Sequence, residues 1–86
     1  MRVTRGELLD WYVDGAESAV FVDDHVVVLS ALATAIVDIV GEDGADEADV
    51  ASALVERFGD PEGPADEMTH QALVDLAERH VVVLTP

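Results

Sequence analysis

The sequence predicts an α+β domain, a small antiparallel N-terminal β-sheet followed by three helices and a short terminal extended segment. Three observations carry this. Two valine-rich segments, Ala19–Val22 and His25–Leu29, flank a polar Asp23-Asp24 step. Three later segments repeat apolar residues at helical spacing. Glycine and proline separate those segments.

Residues 1–18 carry two competing signals. Thr4 and Glu7 have the spacing of a capping box, which predicts a short helical turn. Trp11-Tyr12-Val13 predicts a strand, with Asp14-Gly15 as its turn. The strand over 11–13 is the preferred reading.

The following elements have clearer signals. Val20, Val22, Val26, Val27 and Val28 are β-branched, and such side chains pack well on a pleated surface, so a hairpin is expected over 19–29. Ser30 stops the second strand and caps a helix. Leu32, Ile36, Ile39 and Val40 mark its buried face, and Gly41 ends it. Asp46 caps a second helix, with Glu47 and Asp49 in its positive first turn. Val50, Ala51, Leu54 and Phe58 form its stripe. The loop from Gly59 to Pro64 precedes a third helix over 66–79, which carries Thr69, Leu73, Leu76 and His80 on one face with Ala72 and Ala77 beside it. Val81–Leu84 is extended. This order is winged-helix-like, and one face of the sheet must bury against the helices.

The chain of 86 residues supports one modest core, so 1–86 reads as a single domain. Its charge is −15, from 19 acids against 4 Lys+Arg, all four of them Arg. That field repels nucleic-acid phosphates and anionic lipid, so neither nucleic acid nor membrane is expected as a partner. It favours a basic partner. No cysteine is present, which excludes disulfides and thiolate metal sites. No signal-type or membrane-spanning apolar stretch occurs, and the cytoplasm is expected.

No chemistry-bearing motif emerges. His25, His70 and His80 have no metal-ligand spacing. Ser18, Ser30 and Ser52 lie outside any nucleophile motif. The run from Glu42 to Asp49 lacks the ligand order of a calcium loop, and Gly41 and Gly44 do not make a phosphate loop. No enzymatic activity, metal or cofactor is expected. An atypical acyl carrier is one alternative, with Leu29-Ser30-Ala31-Leu32 as the attachment site, although the acidic residue that usually precedes the serine is missing. A second is an acidic interaction or inhibitory module that docks a basic partner through Asp46, Glu47 and Asp49.

The segment His25–Leu29 has no Lys, no Pro and no interior charge. Those are the usual protections of an exposed strand edge, and their absence suits pairing with an extended peptide. Val26, Val27, Val28 and Leu29 would supply the strand, and Leu73, Leu76, Ala77 and His80 a helical wall. Val27 is expected to be a ladder donor to the ligand, so Val27→Pro should weaken binding. A homodimer through the hairpin is compatible with this arrangement.

These residues resemble the PqqD-like family, the peptide recognition domains of ribosomal peptide-modification pathways. The resemblance covers about residues 19–84. It rests on the hairpin ending at Leu29-Ser30, the Val40-Gly41 turn with Gly44 nearby, Ala51-Ser52-Ala53-Leu54-Val55-Glu56-Arg57-Phe58, and Leu76-Ala77-Glu78-Arg79-His80-Val81-Val82. Ser30 stands where the family usually has Asn, and His80 where it usually has Gly. A different cap or a longer helix is therefore expected around His80. The resemblance implies a non-catalytic accessory protein. It would bind the leader segment of a precursor peptide by β-strand addition and present it to a modifying enzyme.

Overall fold

The computed structural model describes residues 1–86, and four strands occupy most of its first third. The strands are β1 (Arg2–Arg5), β2 (Leu8–Asp14), β3 (Glu17–Val22) and β4 (His25–Leu29). Helix α1 (Ala31–Val40) follows, then the two-residue strand β5 (Ala45–Asp46), α2 (Glu47–Phe58), α3 (Ala65–Glu78) and β6 (Val82–Thr85). The fold is α+β, as the periodicities predict. The winged-helix likeness rests on element order alone.

The strands form two three-stranded antiparallel sheets instead of one, ordered β5-β1-β6 and β2-β3-β4. The helical turn expected from Thr4 and Glu7 does not form. Thr4 instead pairs with Val83 in the β1–β6 ladder. Four register pairs with β6 fix more backbone groups than one capped turn can. Gly6 follows, and its N–H donates to the Val81 carbonyl at 2.9 Å. A Cβ on Gly6 would overlap the His80 carbonyl oxygen, so only glycine permits this approach. The strand expected over 11–13 lies in the second half of β2, which turns at Gly15 with φ +65°.

Inward-facing residues of both sheets pack against the helices. Val3, Val20, Val22, Leu29, Ile36, Val37, Val50, Leu73, Val81 and Val82 are buried in one cluster. Ser18 and Thr34 are the buried polar pair at its margin, and their hydroxyls lie 2.7 Å apart in a hydrogen bond. Ser30 caps α1, its Oγ accepting from the Ala33 N–H at 3.2 Å. Asp46 occupies the N-cap position of α2 but makes no side-chain cap; its carboxylate lies 3.9 Å from Arg2. Two positions expected in the core are not there. Leu32 is 43% exposed and Phe58 54% exposed.

The end of α3 is neither lengthened nor capped by another residue. His80 itself takes the left-handed conformation, with φ +64°. The His80 N–H donates to Ala77 and the Val81 N–H to Leu76, both at 3.0 Å. This is the Schellman pattern that glycine usually serves. A side chain in that region costs roughly 1–2 kcal/mol. His80 Nδ1 makes a 2.7 Å hydrogen bond with Oδ2 of Asp23, which also has a positive φ of 56°. The pair ties the β3–β4 turn to the end of α3.

Candidate functional site

In the order β2-β3-β4, strand β4 has a neighbour on one side only. The register fixes which of its groups are free. Val22 and His25 close a two-residue loop, so they form a hydrogen-bonded pair. Alternation then makes Val20–Val27 and Ser18–Leu29 hydrogen-bonded pairs too, and Phe21–Val26 and Ala19–Val28 non-bonded ones. The N–H and C=O groups of Val26 and Val28 therefore point to the open side. Val27 spends its groups on β3. The expectation that Val27 is the donor to a ligand is corrected by this register: the free donors are its two neighbours.

A groove of about 300 Å³ adjoins this edge. Its strand side is Val28 and Leu29, ending at Ser30. Its α1 side is Leu32, Ala33 and Ile36, and its α3 side is Ala72, Asp75, Leu76 and Arg79. Asp75 and Arg79 are four residues apart on α3 and approach to 3.5 Å, which places one charge of each sign at the rim.

Among the residues expected at the site, Val28, Leu29 and Leu76 line the groove. Val26 is exposed, and Val27 is 8% exposed and faces the core. Leu73 is fully buried and offers no surface to a ligand. Ala77 and His80 line a different depression, with Asp23 and the β6 residues Val82 and Val83. The physical reason is helical phase. Leu73 and Ala77 turn toward the sheets and β6, while Ala72, Asp75 and Arg79 turn toward β4. Leu76 lies on the border and serves both.

Sequence reasoning missed Leu32, Ala33, Ile36, Ala72, Asp75 and Arg79 as lining residues. Helix α1 is apolar on almost every side, so its sequence has no polar face to mark the outside. On α3 a signal existed in the Asp75–Arg79 spacing, which marks a face open to solvent.

The opposite face of the hairpin sheet is also apolar. Tyr12, Ala19 and Val28 align across the three strands, and Asp10, Phe21 and Val26 form the adjacent row. Tyr12 and Val28 are 70% and 71% exposed. Asp10 raises the pKa of the Tyr12 hydroxyl above its ordinary value, by hydrogen bonding first and by its charge second.

The acidic patch is largely engaged within the chain. Asp46 faces Arg2, and Glu47 is paired with His70. Asp49 is exposed and has no ion-pair partner. Ser30, the alternative attachment serine, is exposed but holds its cap bond to Ala33. The three histidines lie beside Asp24, Glu47 and Asp23 respectively, and no group of three metal-ligating side chains converges. No helix is long and apolar enough to cross a membrane.

No protein-family model, no curated protein and no solved structure matches this chain.

Proposed function

We propose that this chain is a non-catalytic peptide-binding domain. It takes an extended segment of another chain as an added strand on β4 and presents that segment to a modifying enzyme. The PqqD-like resemblance makes the segment the leader of a ribosomally made precursor. The observation that carries the reading is the open edge of β4 lying directly beside a groove with an apolar floor and a charged rim.

The energetics assign separate roles to edge and groove. Val26 and Val28 offer two N–H and two C=O groups. At about 0.5–1.5 kcal/mol net per hydrogen bond these contribute roughly 2–6 kcal/mol. A micromolar complex requires about 8 kcal/mol. Apolar burial supplies the remainder, at about 2.5 kcal/mol for roughly 100 Å². The backbone ladder thus sets register, while the groove sets affinity and selects side chains. The strong negative charge accelerates encounter with a basic segment.

The test is an amide-shift titration of the labelled chain with synthetic leaders of precursors encoded beside its gene. Saturable shifts at Val26, Val28 and the Ala72–Arg79 face are expected. Shifts confined to Asp46–Asp49, or no saturable binding by any of these leaders, would refute the reading.

A further inference from the structure

The three helices do not close completely between the start of α1, the end of α2 and the start of α3. An apolar cavity of about 130 Å³ opens there. Leu32, Leu54, Val55, Phe58, Met68 and Ala72 form its walls. Leu32 and Ala72 also line the groove beside β4, so groove and cavity share a wall. Apolar cavities of about 150 Å³ accept a benzene molecule. The space therefore suits a single Leu, Met or Phe side chain. Phe58 and Met68 leave 54% and 50% of their surface exposed, and a guest side chain would cover part of it.

The mouth of this cavity has a charge pattern of its own. Gly59, Pro61, Ala65 and Met68 line it. Asp60, Glu62, Asp66 and Glu67 alternate with these lining residues along the chain, are all exposed, and form no ion pair. No Lys or Arg lies between Phe58 and Glu78 to neutralise them. Asp66 and Glu67 sit in the first turn of α3, where the helix dipole favours them. Asp60 and Glu62 precede the helix and have no such compensation.

Building on the peptide-binding reading, we infer that this cavity is an anchor pocket for the same ligand, filled by an apolar side chain next to a Lys or Arg. The segment paired with β4 continues past Leu32 and Ala72, places a Leu-sized side chain among Leu54, Phe58 and Met68, and sets a cation against the acidic mouth. The preferred ligand class is then an extended peptide that carries an apolar–basic pair outside its strand-forming stretch. A second copy of this chain is a poor occupant, because it brings another −15 charge to an acidic rim.

Short probes test the pocket apart from the strand edge. The labelled full chain is titrated with N-acetyl-leucyl-arginine amide, N-acetyl-leucyl-glutamate amide and N-acetyl-alanyl-arginine amide. None is long enough to build a ladder on β4. Saturable shifts at Leu54, Val55, Phe58, Met68 and Ala72 are expected with the first probe. The Glu probe should bind about fivefold more weakly, the upper range for an exposed ion pair, and this difference should vanish at about 0.5 M salt. The Ala probe should bind about tenfold more weakly or worse, having lost three buried carbons. Met68→Ala, at a half-exposed site that the fold tolerates, should weaken the first probe about threefold. Equal affinity for all three probes, or shifts only along β4, would overturn the pocket. Either result would leave strand addition standing, and failed leader titrations would leave the dipeptide result standing.

Discussion

The hairpin sheet has two outer strands, and they are built differently. Strand β2 carries Asp10 and Asp14 and is interrupted by a register shift between Leu8 and Asp10, with Leu9 as the extra residue. Charge and a bulge are both devices that discourage another strand from pairing. Strand β4 has neither; its five residues are His25, Val26, Val27, Val28 and Leu29, with uninterrupted register. The same sheet is therefore guarded along one edge and open along the other. Both edges border a depression: Val28 and Leu29 of β4 line the groove against α1 and α3, and Trp11 and Val13 of β2 line another against α1 and α2. The two edges thus differ in protection and not in access to a depression, and under the proposed function it is the unguarded backbone of β4 that would mark the docking edge.

Substitutions can break or sharpen this contrast. The largest effect should come from Val27→Pro, which removes a donor that β4 gives to β3. It should destabilise the domain by about 2–3 kcal/mol in urea unfolding, since a ladder bond and strand packing are both lost. His80 comes next, because it anchors the turn from which β4 departs. His80→Ala should be about 1–2 kcal/mol less stable than His80→Gly in thermal unfolding, since glycine has no left-handed penalty. Val28→Pro should leave stability nearly unchanged, because proline is tolerated where the N–H faces solvent on an edge. It should instead weaken leader binding about tenfold, the loss of one free donor. If Val28→Pro binds normally while Val27→Pro folds normally, the register assignment of the edge is wrong. The smallest effect on stability, within about 0.5 kcal/mol, belongs to the double substitution of Asp10 and Asp14 by Ser. Its signature is in solution mass: light scattering should detect concentration-dependent association absent from the parent chain.

The hairpin, the three helices and their punctuation were legible in the sequence because they depend on neighbours in the chain. Valine alternation, the Ser30 cap and Gly41 each act within a few residues. The sheet β5-β1-β6 was not legible, because Val3 meets Leu84 from the far end of the chain and Ala45 from the middle. Nothing local in Arg2–Arg5 announces such partners, and the Thr4–Glu7 spacing suggests a turn instead. The site was half legible. The lack of protection along His25–Leu29 pointed to a strand that the structure places at a sheet edge, but which of its residues are free depends on loop length and register. On α3 a one-residue error in phase exchanged Ala72 for Leu73 and Arg79 for His80. Leu73 is apolar because it belongs to the core, and composition cannot distinguish that from apolarity at a binding surface.

Leu29 and Leu76 have a further consequence for the groove. Both belong to the buried cluster and both also form its floor. The gap between β4 and α3 is therefore held open by the same packing that keeps the domain folded, before any guest arrives. In the proposed complex the entropic burden of association would then fall almost wholly on a flexible incoming chain, and hardly at all on its host. Stiffening the guest, by cyclisation or by a proline outside the paired stretch, should tighten the complex more than any added contact on the domain.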